Sequence, residues 1–310
     1  MSPRCSPHSP TSSAEQHVPI PAGLLDIVVD PVVHDVTERW TMAYAAALGD
    51  FSDCYFDTTR GGGIVAHPLF SVCPEWAAIV TSRSGSEQIG MTAAEVLTGV
   101  HASHDVTIHR LVRPGDRLTT ELSIDGLTDI SPGAKATTRL ETVDADGRPV
   151  MTTVQDAIYL GVATEGVDHP DPKPPPPVQA VRVGDPFTAA IELSAGAAHT
   201  YTECARIWNP IHTDRAVAQA AGLPDIILHG TATLAHGVSA VVEHVGGGDP
   251  TEVRRVIARF AAMVQLPSTI TINIWPGVAA ADGTIAVPFE VCNEHGAAAV
   301  KDGILVLGVA

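Results

Sequence analysis

Basic residues are scarce in this chain. Lysine and arginine together number 18 against 35 acidic residues over 310 positions, a formal charge of −17. A field of that sign repels phosphate backbones and anionic lipid surfaces, so neither nucleic acid nor membrane is expected as a partner. No apolar run approaches the ~18 residues of a spanning helix, and the opening residues lack the apolar stretch of a secretory signal, which points to a cytoplasmic protein. Cysteine is sparse and scattered. Cys5, Cys54, Cys73, Cys204 and Cys292 form no C-x-x-C pair and offer no zinc spacing, so they read as free thiols. Cys204 has no evident base beside it and reads as a small packed side chain.

What is present supports a packed core. Hydrophobic residues make up 45% of the chain and mean hydropathy is +0.17, values that exclude wholesale disorder. Residues 1–23, rich in Ser, Pro and His, read as a disordered arm. Residues 168–182 contain Pro174 to Pro177 and read as a polyproline spacer dividing the chain nearly in half.

The flanking halves, 24–167 and 183–310, repeat one another. Val154 to Ala163 parallels Val300 to Ala310; Ile64 to Phe70, before an apolar helical stretch, parallels Ile226 to Ala232; Tyr44 to Tyr55 aligns with Tyr201 to His212. Within each unit a short strand leads to an irregular loop, one long apolar helix and several strands. Arg117 to Ile124, Ala136 to Val143, Val253 to Val264, Thr269 to Trp275 and Thr284 to Cys292 alternate with period two between Gly, Pro and Asn breaks. One helix for several antiparallel strands gives an α+β class.

The second unit carries the distinctive motif. Tyr201-x-x-x-Ala-Arg-Ile-Trp-Asn209-Pro210-Ile211-His212-Thr-Asp214 is followed by Gly222 and by His229-Gly230. This resembles the MaoC-like (R)-specific enoyl-CoA hydratases and 3-hydroxyacyl thioester dehydratases, whose pattern runs approximately Ser-Gly-Asp-x-Asn-Pro-x-His-x-Asp and then His-Gly at the start of the central helix. The resemblance implies a double hotdog fold, each unit an antiparallel sheet wrapped around one helix. It also implies an acyl thioester substrate, on coenzyme A or an acyl carrier protein, with no cofactor beyond the coenzyme A or phosphopantetheine of the substrate. A homodimer is left open.

Carried over residue by residue, the resemblance makes His212 and Asn209 the catalytic residues, His212 as the acid/base and Asn209 holding the loop or presenting its amide to the substrate. Gly230 becomes the backbone donor to the thioester oxygen, and Tyr201 and Arg206 become substrate-binding positions. Arg206 stands where the family has a small residue, which suggests an anionic partner. The motif aspartate is replaced by Ile207. The first unit keeps Asp50 at that position but has Tyr55 in place of the histidine, so neither unit holds a complete pair, and Asp50 reads as a turn residue. His229 reads as a cap or packing residue. His236 and His244, eight apart, do not have the spacing of a metal pair, and no metal is expected. Hydration or dehydration of the thioester is the expected reaction. Thioesterase chemistry, amine addition to an enoyl thioester, and a non-catalytic acyl-thioester-binding subunit remain the alternatives.

Overall fold

A computed structural model describes residues 18–92, 96 and 99–308. Most of the expected arm, Cys5, and the last two residues of the repeat match lie outside the described residues. The first unit supplies strands β1 (Val32–Asp35), β2 (Gly99–Ile108), β3 (Arg117–Ile130), β4 (Gly133–Val143) and β5 (Pro149–Leu160), with helices α1 (Glu38–Ala47), α2 (Asp53–Phe56) and α3 (Val72–Gln88). The second supplies β6 (Phe187–Leu193), β7 (Val253–Phe260), β8 (Ser268–Ile274), β9 (Val278–Ala279), β10 (Ile285–Cys292) and β11 (Ala298–Leu307), with helices α4 (Ala197–Ala205), α5 (Arg215–Ala220) and α6 (Gly230–His244).

Period-two patterning places the strand faces. On β8, Ile270, Ile272 and Ile274 are buried while Thr269, Thr271 and Asn273 turn outward, the half-buried alternation of an antiparallel sheet. The inner face wraps α6, whose residues Ala232 to Val238, with Val241 and Val242, are buried. Gly237 lets sheet and helix approach: a β-carbon there would stand 2.7 Å from the Phe289 ring.

All strands join one sheet, in the order β1-β3-β4-β5-β2-β7-β11-β10-β8-β6, with β9 beside β10. The order is palindromic about the β2–β7 pair, as expected of two copies of one unit in a double hotdog. Tyr44 and Tyr201, equivalent positions of the two units, meet with hydroxyls 3.3 Å apart. Equivalent residues touch in this way only beside a two-fold axis.

The β2–β7 seam is clamped on its outer side. Arg255 of β7 donates from Nε and Nη2 to the Asp105 carboxylate of β2 at 2.7 and 2.6 Å, and from Nη1 to the Pro176 carbonyl at 2.8 Å. The segment 168–182 is therefore no free spacer. Its backbone is irregular, but His169 pairs with Leu127, Asp168 accepts from the Asp129 amide, and Arg139 donates to the Lys173 carbonyl. It is a strap laid along the sheet. The arm boundary also moves: Ile20 is buried and its amide donates to Ala163, so residues 18–23 belong to the fold. Cys54, Cys73, Cys204 and Cys292 are free thiols. No helix among the described residues is long and apolar enough to cross a membrane.

Removing one member of a withdrawn ion pair strands the other charge, at a penalty of roughly 3 kcal/mol. Asp105→Ala should therefore lower the free energy of urea unfolding by about that amount. A loss under about 0.5 kcal/mol, the size of an ordinary surface substitution, would show that the seam does not depend on this clamp.

Candidate active site

The two units present their central helices differently. In the first, His67 precedes a 3-10 turn (Pro68–Ser71) that leads into α3, and its Nδ1 accepts from the Leu69 amide at 3.0 Å. Pro68, which follows, has no N–H and is buried. His67 Nε2 meets Ser239 Oγ of α6 at 3.1 Å. That helix start is capped and closed by protein. In the second unit His229 precedes α6 without a side-chain cap, and the next residue, Gly230, is exposed. The free amides of a first helical turn carry partial positive charge. Of the two central helices, α6 is the one that offers them.

Beside this helix start lies a histidine pair. The loop from α4 turns through Arg206, left-handed at φ 61°, and Ile207 donates its amide to the Thr202 carbonyl. The 3-10 turn Pro210–His212 then brings His212 over His229, with ring centroids 3.7 Å apart and planes 24° from parallel. His212 Nδ1 lies 2.9 Å from the Ile227 carbonyl. A carbonyl only accepts, so Nδ1 carries the proton and Nε2 keeps its lone pair. Burial pulls the His212 pKa down to about 4, against the opposing effect of the Ile227 carbonyl, and the charge of Arg83 lowers it further. His229 is held well below its ordinary value by burial and then by His212; its Nε2 meets Thr202 Oγ1 at 3.1 Å. Both rings are neutral at physiological pH.

The other sequence-derived positions divide. Asn209 stands on the same loop; its carbonyl accepts from the His212 amide, and its side chain makes no cap bond to the 3-10 turn. Tyr201 is withdrawn from solvent. Its hydroxyl donates to Thr231 Oγ1 at 3.1 Å and contacts Tyr44, and its ring lies 4.9 Å from that of His229. Arg206 is not brought to the histidines. Its guanidinium covers the Trp40 ring of α1 at 3.9 Å, because the left-handed turn directs it toward the first unit. Ile207 is buried in the main core cluster, and Asp50 accepts from the amide and hydroxyl of Ser52 in a local turn. Beside the motif loop an open groove of about 250 Å³ is bordered by Thr202, Trp208, Pro210 and Thr213.

Three residues that the motif does not mark complete the surroundings. Phe260 of β7 packs on Gly230, 3.1 Å from where a β-carbon would stand. His101 of β2 lies with its ring 4.7 Å from that of Phe260, and its Nε2 has no hydrogen-bond partner among the described residues. Arg83 of α3 acts electrostatically on both His101 and His212. The one signal for His101 in the sequence is a polar residue on the inner side of β2. The site thus combines a helix start and a histidine pair from the second unit with a wall from the first.

Residues 180–287 match the MaoC-like domain family, and residues 27–153 match the FAS1-like dehydratase domain region. The chain is 24% identical to the peroxisomal enoyl-CoA hydratase 2 of Arabidopsis thaliana over 77% of its length and 81% of that protein. It is 26% identical to 3-hydroxyacyl-thioester dehydratase Y of Mycobacterium tuberculosis, over 80% and 84% of the two chains. Among solved structures, a MaoC-like dehydratase from Phytophthora capsici superposes with a TM-score of 0.76 at 20% identity, covering 93% of this chain and 98% of that one.

Buried neutral histidines make the fold sensitive to acid. Burial holds His67, His101, His212 and His236 near pKa 4 and His104 near 3. The unfolded chain binds protons on these groups below about pH 6.5 and the folded one does not, so stability is full above that value and is lost as pH falls toward 4. Each such histidine withdraws about 2 kcal/mol by pH 5. Glu75, raised to about 7 by burial, opposes this as a single group. Circular dichroism should show cooperative unfolding near pH 5, and a fold intact at pH 4 would contradict the burial of these rings as neutral groups.

Proposed function

From a chain whose second half is a MaoC-like domain and whose first half is a FAS1-like dehydratase region, we infer an acyl-thioester hydro-lyase that interconverts 2-enoyl and 3-hydroxyacyl thioesters. The observation that carries the reading is the uncapped, Gly230-led start of α6 beside a neutral His212 whose Nε2 lone pair is free. Coenzyme A or a carrier-protein phosphopantetheine enters only as the handle of the substrate.

The residues support a single-base reaction. The thioester oxygen accepts from the Gly230 amide, where the helix dipole favours the negative charge of an enolate. His212 Nε2 takes the α-proton, and the electron pair of that C–H bond becomes the new carbon–carbon double bond as the β-carbon–oxygen bond breaks. The leaving hydroxyl takes the same proton back from Nε2 and departs as water. Hydration is the reverse. A lowered pKa suits this cycle because the imidazole is always deprotonated at the start, and the imidazolium formed in the pocket is a strong acid toward the leaving oxygen. With Ile207 in the core, no motif carboxylate shares the task.

The first unit supplies the control for the test. Pro68 stands one residue after the pre-helical histidine, as Gly230 does in the second unit, and proline is tolerated at a first helical position while removing its donor. Because any β-carbon at 230 presses on Phe260, Gly230→Ala is the reference, and Gly230→Pro should match its melting temperature and lower turnover of a short 2-enoyl-CoA about 10²-fold below it. Enoyl absorbance and free thiol are followed together, since thiol release would instead indicate hydrolysis. Unchanged turnover in Gly230→Pro would place the carbonyl elsewhere. His212→Ala should likewise lower turnover about 10²-fold, and a fully active His212→Ala enzyme would refute the single-base reading.

A further inference from the structure

A neutral imidazole carries one N–H donor and one lone pair, and a buried ring that uses neither is costly to keep. His104 of β2 is such a ring. It is 1% exposed, and neither its Nδ1 nor its Nε2 has a hydrogen-bond partner among the described residues. Its neighbours on the inner side of the seam, Val106 of the same strand and Val256 and Ala258 of β7, belong to the main core cluster. An apolar side chain would pack among them with no polar atom left to satisfy. Packing therefore does not account for a histidine at this position.

The backbone of β2 brings a second ring to the same place. His101 pairs with Ala157 and Ser103 with Asp156, so Ala102 is an extra residue and the strand bulges there. Residues three apart on a regular strand lie on opposite faces. The bulge puts His101 and His104 on one face, with ring centroids 5.4 Å apart. His101 Nε2 also lacks a partner among the described residues, and its ring lies 4.7 Å from that of Phe260, which packs on Gly230. A row of contacts on the inner face thus leads from the start of α6 in the second unit to His104 in the first.

The chemistry of this row specifies the ligand. Burial pulls the pKa of His101 down to about 4 and that of His104 to about 3, so neither ring is a cation for a carboxylate to meet. His104 offers one donor and one acceptor in either tautomer, and His101 Nε2 adds one more group of either kind. A hydroxyl both gives and takes hydrogen bonds and matches that set, whereas a methylene matches none of it. We propose that His104 and His101 form a subsite for an uncharged hydroxyl on the acyl chain, selecting hydroxylated 2-enoyl thioesters over plain ones. The proposal rests on the lyase reading above for the position of the thioester carbonyl at Gly230. From there an acyl chain that runs past Phe260 along the inner face reaches His101 and then His104.

The test uses the full chain with 2-decenoyl-CoA and its 6-, 8- and 10-hydroxy counterparts, since the contacts fix the direction of the chain and the series locates the hydroxyl. The wild type should prefer one hydroxylated thioester to the plain one by about tenfold in kcat/KM. His104→Leu should erase that preference, change the plain substrate less than about twofold, and raise the melting temperature, because two unmet polar atoms leave the core. His104→Gln keeps a donor and an acceptor and should retain part of the preference. His101→Leu should weaken the preference as well, and it reads the subsite even where His104→Leu does not fold. Equal slowing of all four substrates in His104→Leu, with a lower melting temperature, would make the ring a packing residue and overturn the proposal, as would an active wild type without a preference. Calorimetric binding of decanoyl-CoA and its three hydroxylated counterparts to wild type and His104→Leu separates the two readings. A His104-dependent preference for a hydroxylated analogue without turnover of any enoyl thioester would overturn the lyase reading and leave the subsite in place. No such preference in binding or turnover overturns the subsite.

Discussion

The pairing of β2 with β7 is the contact on which everything else in the molecule depends. By running edge to edge and antiparallel, these two strands turn two half-sheets into one, remove an otherwise exposed edge from each, and fix the relative position of the two central helices. The Arg255–Asp105 pair on the outer side and the strap from Asp168 onward hold that register. Shift the seam by one residue and every side chain of β2 changes face. His101 would then leave the site.

Because the seam relates the units by a pseudo-two-fold axis, each central helix begins against the other unit. Two equivalent pockets would follow from strict symmetry. Among the exchanges that break the symmetry are Pro68 against Gly230, Tyr55 against His212 and Asp50 against Ile207. These exchanges are enough to turn one helix start into packing, with His67 bound to Ser239, while the other keeps free amides. Tyr201 shows how the closed side serves the open one. It reaches Tyr44 across the axis and braces His229 from beneath, so the His212–His229 pair rests on a stack that spans both units.

Much of the architecture was legible in the residues because its causes are local. Alternation located β3, β7, β8 and β10 to within a few residues, and the internal repeat foretold the palindromic sheet. The strap was misread, because a proline run reports its own stiffness and not the arginines waiting for its carbonyls. At the site, His212, Asn209 and Gly230 could be found by motif. Tyr201 and Arg206 could not be placed, since one left-handed residue decides where the loop sends its side chains. His101 lies a hundred residues before the start of the motif, and its place beside Phe260 depends on a strand pairing that no local pattern announces.

The neutral histidines also alter how the molecule presents itself to its surroundings. A composition-based isoelectric point of about 5.1 counts all 14 histidines as ordinary bases. In the folded chain at least five of them hold no proton at that pH. The native protein is therefore more anionic than its composition implies in mildly acidic solution and focuses at a lower pH. Folded and unfolded forms of the same chain consequently differ in electrophoretic mobility, and it is the unfolded form that first approaches zero charge and loses its electrostatic protection against self-association.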